Sequence, residues 1–202
     1  MKFLLFSDLH GNRSAAQNLA GLAQSVDIVI GAGDFGNLRR GIDTAVALLN
    51  RIDKPAVLVP GNSESAEELE AACRKLWPAA HVLHGSGITL EGVDFFGIGG
   101  GIPVTPFGSW SYDFTEDEAR RLLADCPMGG VLISHSPPKG AVDVSSRGIS
   151  LGSVAVREVI EQQQPALVVC GHIHESAGQQ AQVGNSVVVN AGPQGIVWDL
   201  SL

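Results

Sequence analysis

Residues 3–10 read Phe-Leu-Leu-Phe-Ser-Asp-Leu-His, an apolar run of strand length that ends in a carboxylate and an imidazole. The same pattern, in which an apolar run leads directly into metal-binding side chains, recurs at residues 26–34 and 167–174. Helix-periodic segments separate the apolar runs in the first half of the chain. Short apolar strands that alternate with helices predict a parallel sheet with both faces covered.

The first half of the chain divides into strands and helices by periodicity. The predicted strands are Phe3–Phe6, Val26–Ile30 and Ala56–Val59. A helix over Ser14–Gln24 has an apolar face, and a second helix places apolar residues at Ala45, Leu48, Leu49 and Ile52. A Glu-rich helix over Ser65–Trp77 is stopped by Pro78.

The second half has a different character. An antiparallel meander is predicted from His81–Leu83, Gly87–Leu90 and Val93–Ile98. A Gly/Pro/aromatic loop over 99–114 precedes a capping box at 115–118 that opens a helix. Later come the strand Val131–Ile133, the helix Gly152–Gln163, the strand Leu167–Cys170 and β-hairpins over 179–200. A parallel half and an antiparallel half together predict two sheets packed face to face, with helices outside.

Length and composition limit the classes of function that are possible for this chain. The 202 residues, 45% apolar and 17% charged, predict a single domain spanning 1–202 with a substantial core. The net charge of −8 argues against a nucleic-acid-binding surface on this chain, since such surfaces need clustered Lys and Arg. Three cysteines without paired spacing argue against a disulfide framework. No apolar stretch reaches membrane-spanning length, so we expect a cytoplasmic protein with no membrane association.

Five short motifs supply a complete set of ligands for hard metals. They are Asp8-Leu9-His10, Gly33-Asp34, Gly61-Asn62, Ser134-His135 and Gly171-His172-Ile173-His174. Each follows a predicted strand, and in open α/β sheets sites gather at the carboxyl ends of strands. Imidazole, carboxylate and amide oxygen form a mixed N/O set that suits Mn²⁺, Fe or Zn²⁺ and differs from a thiolate zinc site. Each motif is weak alone, and the ordered set is specific.

The ordered motifs resemble those of the calcineurin-like metallophosphoesterase superfamily, whose pattern is DxH…GD…GNH[DE]…H…GHxH. The segments GIPVTPFGSW (101–110) and SHSPPKG (134–140) are similar to those of its small single-domain prokaryotic members. The resemblance implies a four-layer αββα sandwich of two mixed β-sheets flanked by helices. It also implies a metal-dependent phosphoric ester hydrolase.

Transferred motif by motif, the resemblance implies two divalent metal ions, with Mn²⁺ favoured and Fe or Zn²⁺ as alternatives. One ion would be held by Asp8, His10 and His174. The other would be held by Asn62, His135 and His172, with Asp34 bridging the pair. Asp34, Asn62 and His135 would act on a metal-bridging hydroxide that attacks phosphorus. The substrate would be a small phosphoester. The short chain, together with its lack of one histidine of the family pattern, favours phosphodiesters, with phosphomonoesters as an alternative.

One position departs from the family pattern. The family has a histidine after Gly-Asn that acts as general acid, and this chain has Ser63. A serine hydroxyl is a poor proton donor, and losing a positioned acid typically costs about 10²–10⁴-fold. We therefore predict activity on aryl esters that exceeds activity on alkyl esters. Alternatively, Ser63 only starts the next helix, or the chain is a metal-binding, catalytically weak scaffold on the phosphoesterase fold.

Other residues have two readings each. Asn12 is a candidate for substrate binding and equally for a helix N-cap. For His81 and His84 a place at the surface is favoured over compensation for the missing histidine. For Arg39 and Arg40 a solvated pair at a helix start is favoured over a phosphate clamp. Trp110 and Tyr112 would either stack on an aromatic substrate or pack the 99–114 loop onto the core.

Overall fold

In the computed structural model, which describes residues 1–200, the first sheet has five strands. They are β1 (Lys2–Phe6), β2 (Ile28–Ala32), β3 (Ala56–Val59), β4 (Ala80–Val82) and β11 (Ile196–Asp199). The sheet order is β11-β1-β2-β3-β4. Strands β1 to β4 run parallel, and β11 pairs antiparallel with β1.

The second sheet has six strands in the order β5-β6-β7-β8-β10-β9. They are β5 (Ser86–Leu90), β6 (Val93–Ile98), β7 (Val131–Ser134), β8 (Leu167–Cys170), β9 (Gln180–Val183) and β10 (Ser186–Asn190). The four central strands are parallel, and the two edge strands, β5 and β9, are antiparallel to their neighbours.

Five α-helices cover the outer faces of the two sheets. They are α1 (Arg13–Leu22), α2 (Ile42–Leu49), α3 (Ala66–Leu76), α4 (Glu116–Leu122) and α5 (Val154–Gln163). Residues of α1, α2 and α3 share a core cluster with β1, β2 and β3, and residues of α4 and α5 share one with β6, β7 and β8. No helix within residues 1–200 is long and apolar enough to cross a membrane.

Side-chain alternation along the strands separates the layers. Leu4 and Phe6 of β1 belong to the cluster beneath the helices, whereas Phe3 and Leu5 belong to the cluster between the sheets. There Phe3 meets Phe95 of the second sheet in an edge-to-face contact, with ring centroids 5.8 Å apart. Because all four of these β1 side chains are fully buried, the strand has apolar residues on both faces. The four-layer αββα sandwich is therefore confirmed.

Three details of the sequence prediction are wrong. The segment predicted as His81–Leu83 is β4, which runs parallel to β3 in the first sheet and is no part of an antiparallel meander. The chain end forms one hairpin, β9–β10, and then crosses to the other sheet as β11. Strand β2 begins at Ile28 because the Val26 N–H closes a 3₁₀ turn on the Ala23 carbonyl. The predicted capping box at Thr115 is confirmed.

Candidate metal centre

The candidate metal ligands follow five strands, three in the first sheet and two in the second. Asp8 and His10 follow β1, Asp34 follows β2, and Asn62 follows β3. In the second sheet, His135 follows β7, and His172 and His174 follow β8. Because parallel strands of both sheets end at the same edge of the sandwich, these side chains converge there. Neither sheet supplies the set alone.

The first group consists of Asp8, His10 and His174, whose ligand atoms all lie within 4.8 Å of one another. His10 Nε2 lies 3.3 Å from His174 Nε2, and His174 Nε2 lies 3.6 Å from Asp8 Oδ1. His10 Nε2 also lies 3.6 Å from Asp34 Oδ2. Nitrogen and oxygen atoms converging from separate loops at these distances are suited to a divalent cation.

The second group consists of Asp8, Asp34 and His135, again with ligand atoms within 4.8 Å of one another. His135 Nε2 lies 3.5 Å from Asp34 Oδ1 and 3.2 Å from Asn62 Oδ1. The His172 ring centroid is 4.9 Å from that of His135. Asp34 therefore directs one carboxylate oxygen toward His10 and the other toward His135, between the two groups.

Backbone strain concentrates at this centre. Among the nine non-glycine residues with positive φ within residues 1–200, four carry side chains of the centre: Asp8 (53°), His10 (47°), Asp34 (57°) and His172 (68°). The left-handed region is unfavourable for residues with a Cβ, and such strain clusters at functional sites. The fold therefore holds these side chains in positions that the local backbone preference opposes.

Glycines allow the loops that carry the candidate ligands to approach one another closely. A Cβ at Gly33, where φ is +89°, would stand 2.5 Å from His135 Nδ1. A Cβ at Gly171 would stand 2.5 Å from Asp8 Oδ2, and one at Gly61 would overlap the Asp34 carboxylate. Any larger residue at these three positions would push the ligand loops apart.

Backbone carbonyls orient two of the imidazoles. His135 Nδ1 lies 2.7 Å from the Ala32 carbonyl oxygen, and His10 Nδ1 lies 3.1 Å from that of Gly36. A carbonyl accepts a hydrogen bond from the protonated nitrogen, so in each ring Nε2 is left with its lone pair facing the centre. This is the tautomer and the orientation that a metal-binding histidine requires.

Burial and hydrogen bonding set the charge states of the centre. Burial opposes ionisation of Asp8, but the hydrogen bonds from His174 and Ser7 help to outweigh it and place its pKa at about 2. Burial lowers the pKa of His172 to about 4. At neutral pH Asp8 is therefore a carboxylate and His172 a neutral imidazole, the forms that bind metal.

Glu64 is a supporting residue that sequence reasoning missed. Its buried carboxylate accepts hydrogen bonds from four backbone N–H groups, those of Asp34 (2.8 Å), Phe35 (3.3 Å), Gly36 (3.0 Å) and Gly61 (2.7 Å). Burial, together with the charge of Asp34, raises its pKa to about 7. Glu64 thereby ties the loop that carries Asp34 to the loop that carries Asn62. Its only sequence signal is the acidic residue at this place in the family pattern.

A second missed network orients Asn62. The Asn62 side-chain amide donates to Ser111 Oγ (3.0 Å), and Ser111 Oγ donates to Asp113 Oδ1 (2.7 Å). The Thr105 hydroxyl donates to Asp113 Oδ2 (2.6 Å). With its nitrogen occupied in this way, Asn62 presents its oxygen to His135 and the centre. No periodicity marks these residues, because they lie in the irregular loop between β6 and α4.

Ser63 and Asn12 have defined positions. Ser63 is buried, its N–H donates to Asp34 Oδ1 (2.8 Å), and its side chain lines the cavity beside the centre. The reading in which Ser63 starts the helix is wrong, because Ser65 is the N-cap of α3. Asn12 caps α1, with Oδ1 accepting from the Ala15 N–H (3.1 Å). A role for Asn12 in substrate binding stays a prediction.

The remaining candidates serve packing or line the cavity. Arg39 forms two hydrogen bonds to the Glu68 carboxylate, both 2.9 Å long, so its guanidinium is not free to clamp a phosphate. Arg39 is not at a helix start either, because α2 begins at Ile42. His81 and His84 are both half-buried, so the surface placement predicted for them is met only in part, and His84 packs against Phe114 with ring centroids 4.9 Å apart. Trp110 lines the cavity.

Comparison with known families agrees with this arrangement. The profile described as "Calcineurin-like phosphoesterase" matches residues 1–176, and the chain belongs to that family. The family uses a dinuclear metal site. The structure supplies Asp and His groups able to hold metal ions at the corresponding strand ends.

Related proteins support the family and the fold. The human and mouse proteins named "Metallophosphoesterase domain-containing protein 1" are each 31% identical over 142 residues, 66% of this chain. The match covers 39% of those proteins, so the chain spans about two fifths of their length. The solved structure of TT1561 from Thermus thermophilus has a TM-score of 0.75 at 20% identity and covers 96% of this chain and 90% of its own. A structure titled as a novel archaeal phosphodiesterase has a TM-score of 0.58 at 14% identity, covering 95% and 84%.

Proposed function

We propose that the protein hydrolyses small phosphoesters, with a preference for phosphodiesters, at a centre of two divalent cations. The observation that carries the proposal is the position of Asp34, whose two carboxylate oxygens face His10 on one side and His135 on the other. A carboxylate in this position is suited to bridge two cations. Mn²⁺ is the favoured ion, with Fe or Zn²⁺ as alternatives, because the donors are imidazole, carboxylate and amide.

The first proposed ligand set is the first group of the centre, and the second set places Asn62 and His172 around His135 of the second group. Asp8, His10 and His174 would hold one cation, and Asn62, His135 and His172 the other, with Asp34 shared. Two such cations, when bound, supply an activated water nucleophile and neutralise charge on the phosphoryl oxygens.

The charge of the ligand set suits an anionic substrate. Only Asp8 and Asp34 contribute formal negative charge, since the histidines bind as neutral rings and Asn62 contributes an uncharged oxygen. Two carboxylates against two divalent cations leave the loaded centre positive. A phosphoester anion would therefore be attracted to the strand ends although the whole chain carries a net charge of −8.

The leaving group is the step at which this chain differs from the family pattern. Ser63 is buried beside Asp34, at the position where that pattern has histidine. Its hydroxyl can donate a hydrogen bond to a departing oxygen but is a weak acid near neutral pH. We therefore propose that phenolic leaving groups, which are stable as anions, depart readily and that alkoxides depart slowly.

Partners and location follow as proposals from composition. The acidic balance of the chain supports a small phosphoester over a nucleic acid as the substrate. We propose a cytoplasmic enzyme.

The primary test is turnover of bis-p-nitrophenyl phosphate and p-nitrophenyl phosphate by metal-free protein titrated with Mn²⁺. We expect metal-dependent hydrolysis, faster for the diester. Binding of two metal ions without turnover of either ester would contradict the proposal. It would instead support the alternative in which Ser63 marks a metal-binding scaffold.

Ser63→His tests the leaving-group argument. Introducing an acid at this position should raise kcat for alkyl phosphoesters by about 10–10²-fold while changing aryl ester turnover little. The measurement is the ratio of kcat for methanol release from dimethyl phosphate to kcat for p-nitrophenolate release from bis-p-nitrophenyl phosphate, with Ser63→Ala as the matched variant without a hydroxyl. An unchanged ratio in Ser63→His would contradict the argument.

A further inference from the structure

A cavity of about 730 Å³ opens beside the metal centre. His10, Asp34 and Asn62 form part of its wall, so a molecule bound at the metals extends directly into it. Its volume lies within the range of about 300–1,000 Å³ typical of small-molecule sites. Most of the remaining lining surface is apolar.

The cavity is lined by an unusual number of exposed apolar side chains. Ten large hydrophobic residues of the described chain are exposed, and five of them line this one cavity: Leu38, Val104, Phe107, Ile149 and Leu151. Single exposed hydrophobic residues are ordinary, but a concentration of them around one concave surface marks a binding site. They come from three separate loops, so no packing requirement of one loop accounts for the set.

A flat aromatic platform lies in the same wall. Phe107 and Trp110 stack with ring centroids 5.7 Å apart and an angle of 15° between their planes. Both line the cavity, and Phe107 is about half exposed, at 51%. Parallel stacked rings present a planar apolar face, which suits a second planar group.

Backbone strain supports the same assignment at Leu38. Asn37 and Arg40 close a two-residue turn in which Leu38 and Arg39 both have positive φ, 49° and 62°. Such a turn favours Asn-Gly, and a bulky leucine there is costly. Arg39 anchors the turn through its N–H to the Ser63 carbonyl and through its side chain to Glu68. Leu38 is thereby held 53% exposed, facing the cavity.

We infer that this cavity is a subsite for the substituent that stays on phosphorus after hydrolysis. This substituent would be a large apolar group with a planar ring, and the ring would lie against the Phe107–Trp110 platform. The inference rests on the proposed phosphodiesterase function and names its substrate class. A phosphodiester fits this arrangement because its anionic phosphoryl group belongs at the metal centre and its second substituent must extend away from it.

The test uses three phosphodiesters that release the same p-nitrophenolate and differ only in the retained alcohol: methyl, hexyl and phenyl. For the Mn²⁺-loaded protein, kcat/KM for the phenyl ester should exceed that for the methyl ester by about tenfold or more, because the ring buries apolar surface. A kcat/KM for the phenyl ester that is higher than that for the hexyl ester would support a subsite shaped for a planar ring. A higher kcat/KM for the hexyl ester than for the phenyl ester would overturn the preference for a planar ring. Equal kcat/KM values for all three esters would overturn the subsite.

Variants locate the effect. Trp110→Ala and Phe107→Ala should each bring the phenyl-to-methyl ratio of kcat/KM toward one. The matched control is Met128→Ala, which removes an exposed apolar side chain (77%) outside the cavity and should leave the ratio unchanged. A ratio that persists in both wall variants, or that falls equally in Met128→Ala, would overturn the inference.

A binding measurement separates this inference from the proposed function. Calorimetric titration of Mn²⁺-loaded protein with phenylphosphonate and with methylphosphonate needs no turnover. Tighter binding of phenylphosphonate, lost in Trp110→Ala, would support the subsite even if no ester were hydrolysed. Equal dissociation constants together with normal hydrolysis of the methyl ester would overturn the subsite and leave the proposed function intact.

Discussion

The metal centre and the apolar wall beside it are built in opposite ways. In the centre, Asp34 and His135 are buried, follow strands directly and are fixed by hydrogen bonds to neighbouring backbone. In the wall, Leu38, Phe107 and Ile149 are exposed and lie on loops. The contrast teaches that the groups proposed for chemistry occupy rigid strand ends, whereas the groups proposed for substrate choice occupy segments that can vary without disturbing the centre.

The largest expected effect comes from Asp34, the proposed bridging ligand, whose carboxylate oxygens face His10 and His135. Asp34→Asn keeps the shape and the acceptor for the Ser63 N–H but removes the bridging charge. We expect kcat/KM to fall by about 10³-fold, since several kcal/mol of transition-state stabilisation depend on the metals. The assay is Mn²⁺-dependent ester hydrolysis, and removal of metal by a chelator should reproduce the loss. Asp53→Asn, at an exposed position, is the control, and equal activities of the two variants would contradict the role of Asp34.

A substitution at Glu64 tests whether its hydrogen bonds with four backbone N–H groups hold the loops of the centre in place. Glu64→Gln replaces one acceptor oxygen by an NH₂ group, so at least one of the four backbone N–H groups loses its partner. An unsatisfied buried donor costs about 1–3 kcal/mol in the free energy of unfolding. Denaturant unfolding measures this loss, and Glu70→Gln, which alters an exposed side chain, should change stability far less. Equal stability of the two variants would show that Glu64 does not hold the loops.

Ser111 connects the two regions, because it lies in the loop of the wall and contacts the centre through Asn62. Ser111→Ala leaves the Asn62 amide without its acceptor, so the Asn62 oxygen is no longer fixed toward His135. Loss of such an orienting partner typically costs about 10–100-fold in metal affinity. Mn²⁺ titration by calorimetry should show one weakened site and one unchanged site. Ser25→Ala, whose hydroxyl contacts the Leu22 carbonyl, serves as control; two unchanged sites in Ser111→Ala would refute the connection.

The smallest expected effect concerns the strained turn of the wall. Leu38→Asn introduces a residue that tolerates positive φ, so the free energy of unfolding should rise by about 0.5–1 kcal/mol. The same change removes an apolar side chain from the cavity, so the preference for the phenyl ester should decline. Thermal unfolding and the phenyl-to-methyl ratio measure the two effects on one variant. A less stable Leu38→Asn protein would show that the turn is not strained.

Local patterns predicted much of the layered fold but not the assignment of every strand. The alternation of strands and helices in residues 1–77 predicted β1, β3 and α3 closely. It could not place β4 or β11, because a short strand has the same apolar character whichever sheet it joins and whichever direction its neighbour runs. Strand pairing is decided by contacts distant in sequence, as in the register of Lys2 with Asp199.

The sequence by itself determined which side chains can bind metal and that they follow strands, since ligand chemistry and apolar periodicity are local properties. Only the tertiary structure decided that both sheets end at one edge, that Glu64 collects four backbone donors, and that Ser111 orients Asn62. The apolar wall was equally invisible, because Leu38, Phe107 and Ile149 come from loops without periodicity. Their meaning arises from their common exposure around one cavity, and exposure is set by how the chain packs as a whole.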